Sequence, residues 1–208
     1  MEQSASFQPL PEQKAFVVED DLAVGQALCD LFEAAGIPAL HFLTAEEFLR
    51  AWTPEMPGCL VLDVRLPGIS GMELQTRIGK CEQQIPIIVM TAHGDIPMVR
   101  KALKAGAVEF LTKPFLGEEL LQAVRQAFEL DRSARQAYAT AQSVRKRIAS
   151  LSERERQVIE LVTTGMTNPE IAERIRLSVV TVKLYRRLAM EKMQASSLAE
   201  LVKMWEKL

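Results

Sequence analysis

The sequence predicts a doubly wound α/β domain with a five-stranded parallel sheet, then a long linker helix and an all-α four-helix domain containing a helix-turn-helix. Three observations predict it. From Lys14 onward, five short apolar runs rich in β-branched residues alternate with stretches whose apolar residues recur at helical spacing, the pattern of buried parallel strands joined by crossover helices. After Pro114 the pattern turns wholly helical, with neither Gly nor Pro from Glu118 to Thr164. Charge also divides the chain, with a balance of −9 over residues 1–131 and +7 over residues 132–208. The expected boundaries are a flexible tail at 1–13, an α/β domain at 14–130, a helical linker at 131–147 and a basic helical domain at 148–208.

The strands are read at "AFVV" (15–18), "PALHF" (38–42), "CLVL" (59–62), "IPIIVM" (85–90) and "VEFL" (108–111). Between the first two, "DLAVGQALCDLFEAAG" is a helix stopped by Gly36. Shorter helices are predicted at 44–52, 71–79 and 96–105, the last closed by Gly106. A long helix can run from the first domain into the linker, where its apolar face thins to Ala, Tyr and Val. Four compact helices follow, at about 152–164, 168–175, 179–193 and 196–206. Ser152 with Glu155 forms an S-x-x-E capping box, and Asn168 and Ser178 are the expected N-caps of the next two helices.

Composition excludes several classes. Apolar residues make up 48% of the 208 and charged residues 25%, ordinary values for a globular chain with a sizeable core. No apolar run approaches the roughly 20 residues that cross a bilayer, and the first residues lack the layout of a signal peptide. Cys29, Cys59 and Cys81 are scattered and odd in number, against a disulfide framework or zinc site and in favour of a cytoplasmic location.

"LVLDVRLPG" (60–68) ends a buried strand on a carboxylate, Asp63. In an open parallel sheet, ligands bind outside the carboxyl ends of the strands. The other ends carry Glu19, Asp20 and Asp21, then Thr91, then Lys113 before Pro114. Each has an innocent reading: Asp20 or Asp21 as a helix cap, Asp63 as a turn former, Lys-Pro as a turn. Coincidence at four strand ends is harder to accept. Three packed carboxylates repel unless protonated or bridged by a cation, and an all-oxygen set suits magnesium, with manganese as the alternative. A carboxylate so held can attack phosphorus and form an acyl phosphate. Lys113 would neutralise the phosphoryl oxygens, and the Thr91 hydroxyl would donate a hydrogen bond to one of them.

"FVVEDD", "LVLDVRLPGISGMEL", "PIIVMTAHGD" and "AGAVEFLTKPF" resemble, in order and spacing, the CheY-like receiver domain of two-component response regulators, over about residues 14–130. The resemblance implies that Asp63 is the phospho-acceptor and Asp20 a direct magnesium ligand. It implies that Glu19 acts on the metal through water and that Arg65 offers its backbone carbonyl. Thr91 would be the switch hydroxyl, Lys113 the phosphate partner and Phe110 the aromatic that changes rotamer. Glu19 stands where such domains often have Asp. A cis Lys113–Pro114 bond is also implied, as is a phosphorylation-dependent dimer face around "MVRKALKAGAVEFL".

"TNPEIAERIRLSVVTVKLYRRLAMEKM" holds two short helices joined at "RLS". Ile171, Ala172 and Ile175 would pack inward from the first, and Val182, Ala189 and Met193 from the second. Lys183 and Arg187 share the outer face of the second helix, with Leu184 beside them. Such a helix can enter the major groove, where Lys and Arg read guanine edges. Thr181, Tyr185 and Arg186 are placed for phosphate contacts. Basic residues on an exposed helix are often mere solubility. Here "LSERERQVIELVTTGMTNPEIAERI" resembles the LuxR-type four-helix DNA-binding domain, over about 148–208. That resemblance implies a dimer surface on the helix near 196–206. Pro169 stands where a basic residue is usual, and Tyr185 where His is frequent.

Together the two halves resemble response regulators of the FixJ/NarL class. The expected function is a phosphorylation-activated transcriptional regulator, an activator, which takes its phosphoryl group on Asp63 from a sensor histidine kinase. It would then pair as a homodimer, bind promoter DNA and engage RNA polymerase, with no membrane partner. It would not be an enzyme, beyond slow autodephosphorylation. One alternative is a haloacid-dehalogenase-type phosphohydrolase, which needs an acid two residues after its nucleophile, where this chain has Arg65. Another is a regulator whose helical domain binds protein.

Overall fold

The computed structural model describes residues 12–92 and 96–205, apart from the side chains at 96, 98 and 101. Two compact units divide between Arg135 and Gln136. The first is built on strands β1 (Lys14–Val18), β2 (Ala39–Phe42), β3 (Gly58–Asp63), β4 (Ile87–Thr91) and β5 (Ala107–Thr112). All pair in parallel, in the order β2-β1-β3-β4-β5. Between them run α1 (Leu22–Ala34), α2 (Ala45–Ala51), α3 (Gly71–Ile78) and α4 (Ile96–Lys104), and α5 (Gly117–Ala149) follows. The five expected strands and the helices between them are all present, with bounds moved by a residue or two.

Alternation along each strand creates two cores. Ala15, Val17, Cys59, Val61, Ile88 and Met90 face Leu28 and Phe32 of α1 and Leu120, Val124 and Ala127 of α5. Phe16, Val18, Leu60, Leu62, Ile87 and Val89 face Phe48 of α2, Leu74 and Ile78 of α3 and Ala102 of α4. Burial on both faces explains why these strands read as continuous apolar runs rather than as alternating ones. The order reverses between β1 and β3, which opens a crevice at their carboxyl ends. Glu19–Asp20 and Asp63 stand at those ends.

Two details differ from the sequence reading and a third agrees with it. The tail expected through residue 13 lies mostly outside the described residues, but Gln13 is fixed: its side-chain amide donates to Phe128 O at 2.8 Å and to Asp131 Oδ2 at 3.1 Å. Asp131, expected at the start of the linker, is 1% exposed. It accepts from Gly58 N at 3.0 Å and from Arg135 Nε at 2.8 Å, and Arg135 donates to the carbonyls of Pro54, Glu55 and Met56. The first turns of the expected linker therefore belong to the α/β unit. Finally, the Lys113–Pro114 bond is cis, in line with the resemblance.

The second unit holds the rest of α5 and helices α6 (Glu153–Thr163), α7 (Asn168–Ile175), α8 (Val179–Met193) and α9 (Leu198–Trp205). Ser152 and Glu155 form the predicted capping box on α6, and Ser178 caps α8. Thr167, not Asn168, is the N-cap of α7; the Glu170 carboxylate accepts from the Thr167 N–H and hydroxyl, both at 2.7 Å. Pro169 then falls in the first helical turn, where a missing N–H costs nothing. Two clusters fill this unit: Val158, Val162, Ile171, Ala172 and Val182, and separately Val144, Ile148, Ile159, Ala189, Met193 and Leu201.

Candidate functional site

β3 delivers Asp63 to the sheet rim because its preceding residues are wholly buried and its next turn begins at once. The turn closes tightly on the acid. A Cβ on Gly71 would lie 2.1 Å from the Asp63 carbonyl oxygen, so only glycine lets α3 begin there. Asp63 is 7% exposed. Its Oδ1 accepts from Arg65 N at 2.8 Å, and its Oδ2 lies 2.5 Å from Lys113 Nζ. The same ammonium lies 2.6 Å from Glu19 Oε2, and Glu19 is 3% exposed. Lys113 is brought to the rim by main-chain pairing, with its N–H donating to Thr91 O at 2.7 Å. Thr91 itself is fully buried at the end of β4. Phe110, on β5, is half-buried against the cluster beneath α3 and α4.

The electrostatics are those of two acids sharing one base. Burial pushes the Glu19 carboxyl above its ordinary range, the hydrogen bond from Lys113 opposes this, and Asp63 adds to the rise. Burial alone would depress Lys113, but its hydrogen bonds to Asp63 and Glu19 and their charges hold it above its ordinary value. The three acids that the sequence places at this rim do not form a triad. Asp20 is exposed, and Asp21 is spent on capping α1, accepting from Ala23 N at 2.8 Å and Val24 N at 3.1 Å. Among the described residues, no three His, Cys, Asp or Glu side chains stand close enough to hold a metal ion between them. The mutual repulsion expected of packed carboxylates is relieved instead by Lys113. Two carboxylate oxygens already converge on one cationic centre, and hard oxygen donors of this kind fit a divalent cation.

In the second unit, α7 and α8 meet across a turn in which Arg176 adopts a left-handed conformation (φ 55°). Ile171, Ala172, Val182, Ala189 and Met193 are buried and Ile175 is half-buried, as predicted. This leaves Lys183, Leu184 and Arg187 exposed on α8. The expected phosphate-contacting residues are partly engaged within the fold. Tyr185 packs on the core, Arg186 donates to Asn168 Oδ1 at 3.3 Å, and Thr181 Oγ1 lies 2.7 Å from the capping Ser178 Oγ. Sequence reasoning missed Val180, which is 77% exposed and shares the outer face with Lys183, Leu184 and Arg187 at intervals of three, four and seven residues. That spacing was the signal. An exposed apolar side chain on the same face as two cations suits a surface that meets thymine methyl groups.

The dimer face expected around α4 and β5 is described only in part, since the Met98 and Lys101 side chains lie outside the described residues; Leu103 is exposed there. No helix among the described residues is long and apolar enough to cross a membrane.

Comparison with known proteins assigns a family to each of the two units. The family model for the response regulator receiver domain matches residues 15–125, and that for bacterial regulatory proteins of the luxR family matches residues 149–205. Nodulation protein W of Bradyrhizobium diazoefficiens is 47% identical over 193 residues, covering 93% of this chain and 85% of its own. The transcriptional regulatory protein FixJ of Azorhizobium caulinodans is 44% identical over 188 residues, covering 90% and 89%. Among solved structures, the response regulator StyR is similar with a TM-score of 0.86 and 44% identity, over 95% of this chain and 100% of that one.

Proposed function

Because the chain belongs to the two-component response regulators of the FixJ/NarL class, joining a receiver domain to a LuxR-type DNA-binding domain, we propose that it is switched by phosphoryl transfer to Asp63 and acts as a transcriptional activator. The observation that carries the choice of residue is the pair of contacts on Asp63: Arg65 N–H on Oδ1 and Lys113 Nζ on Oδ2, at the mouth of the crevice between β1 and β3. A carboxylate oxygen of Asp63 attacks phosphorus of a histidine-kinase phosphoimidazole. The P–N bond breaks, its electron pair returns to the imidazole, and an acyl phosphate remains. Lys113 is placed to balance the charge that Asp63 passes to the phosphoryl oxygens, and Thr91 stands at the adjoining strand end to receive one of them.

Receiver domains of this family generally bind magnesium at the phosphorylation site. Here Asp20, Asp63 and the Arg65 carbonyl would hold it, with Glu19 acting through water; manganese would use the same oxygens. When bound, the ion neutralises negative charge on the phosphoryl group. Turnover is limited to slow loss of that group.

Thr91 and Phe110 then couple the modified site to α4 and β5, through which two chains pair in a phosphorylation-dependent homodimer. Pairing places two α8 helices in promoter half-sites about one DNA turn (~34 Å) apart. Lys183, Leu184 and Arg187 face the bases, with Thr181, Tyr185 and Arg186 toward phosphates, and RNA polymerase is the downstream partner in the cytoplasm. The test is promoter binding before and after treatment with acetyl phosphate and magnesium. Tighter binding after treatment, lost in Asp63→Asn, supports the reading. Equal binding by the treated variant sinks it.

A further inference from the structure

Gly25 is an odd residue to find in the interior of α1, because glycine disfavours helix and this one is buried. A neighbour explains it. A Cβ built on Gly25 would lie 2.1 Å from Nε2, 2.2 Å from Cε1 and 2.7 Å from Cδ2 of His41. The imidazole fills the place of the missing side chain.

His41 enters from β2, the edge strand beside β1. Its Nε2 lies 2.8 Å from the carbonyl oxygen of Glu19. A carbonyl only accepts, so the proton is on Nε2 in this contact. The next residue of β2 secures the other side of the same residue, with Glu19 N–H donating to Phe42 O at 3.1 Å. The ladder between β1 and β3 ends one residue earlier, at Val18 opposite Leu62. Beyond that point two successive residues of β2 hold the main chain of Glu19, one by its carbonyl and one by its ring.

We propose that His41, admitted by Gly25, is a positioning residue for the acidic rim: it fixes the main chain of Glu19 and so the carboxylate that meets Lys113. This deepens the reading of Asp63 as a magnesium-assisted phospho-acceptor and rests on it. Glu19 carries one more rotatable bond than Asp would, so its carboxylate gains more from a main chain that cannot shift. Outer contacts of this kind commonly decide how well a metal-binding set is preorganised.

Four variants of the full chain separate this role from simple packing: His41→Leu, which fills the space without donating, His41→Gln, which keeps a donor near Nε2, Gly25→Ala, which displaces the ring, and Gly25→Ala with His41→Leu. Two readouts are taken, magnesium affinity by calorimetry and, without metal, hydrogen exchange of the Glu19 amide by NMR. The expected result is an affinity loss of about tenfold in His41→Leu and Gly25→Ala, with faster Glu19 exchange in both. His41→Gln should recover most of both, and the double variant should be no weaker than His41→Leu. Parent-like affinity and Glu19 exchange in His41→Leu overturn the proposal, and so does a His41→Gln as impaired as His41→Leu. If the parent itself fails to bind magnesium, the site reading fails, while Glu19 exchange still decides the role of His41.

Discussion

Lys113 Nζ lies 2.5 Å from Asp63 Oδ2, at the end of a side chain that also reaches Glu19. One cation therefore stands between two buried acids and offsets part of their charge before any ligand arrives. Removing it in Lys113→Met leaves two desolvated carboxylates facing each other. The expected loss is about 3 kcal/mol, the low end for breaking a buried pair because the ammonium retains some contact with water. Urea unfolding in EDTA measures it, and added magnesium should restore more stability to Lys113→Met than to the parent.

Glu19 gives the site a pH signature. Its carboxyl is raised by burial, so the folded chain holds that proton to higher pH than the unfolded chain does. Such a group stabilises fully below the ordinary value of 4.5, and its contribution falls as pH rises toward the elevated folded value. Melting in EDTA should show the parent losing stability relative to Glu19→Gln as pH climbs from about 4.5 toward neutrality. Lys113, also raised, keeps its contribution below the ordinary lysine value and loses it only at more alkaline pH.

Asp131 and Arg135 fasten α5 to the segment before β3. Asp131→Ala removes the acceptor shared by Gln13, Gly58 and Arg135. Loss of one partner from so buried a pair should cost about 3 kcal/mol, read as a lower urea midpoint for the first unit. An unchanged midpoint would show that the bond is not needed to hold the helix.

On α8, direct and indirect contacts should separate by salt. Lys183→Ala or Arg187→Ala is expected to weaken specific binding by about 1–3 kcal/mol and relax base preference. Val180→Ser should weaken it with an unchanged salt slope, since a methyl contact releases no counterion. Arg186→Ala should weaken binding to all sequences and reduce the slope by about one. Fluorescence anisotropy across a salt series distinguishes the three patterns.

Periodicity exposed the sheet and its helices because the central strands β1, β3 and β4 are buried on both faces, which forces long apolar runs. The rim residues were legible for a similar reason: a charge at the end of such a run has no packing role to hide in. Other features depend on contacts between residues far apart in sequence. Asp131 reads as one more charge on a helix, and only its proximity to Gly58 reveals that it is buried. Asp20 and Asp63 read as members of one triad, but spacing does not say that the Lys113 ammonium stands between Glu19 and Asp63. Thr167 and Asn168 are both good caps, and Glu170 decides for Thr167 by bonding to it. Val180 is hard to read from sequence because it stands among Val179 and Val182, and only the fold shows that Val182 turns inward while Val180 is exposed.

The central claim is that Asp63 accepts a phosphoryl group. Intact mass after incubation with acetyl phosphate and magnesium tests it most directly, alongside Asp63→Asn. The account predicts one added phosphoryl group on the parent and none on the variant. A phosphoryl adduct retained by Asp63→Asn would contradict it.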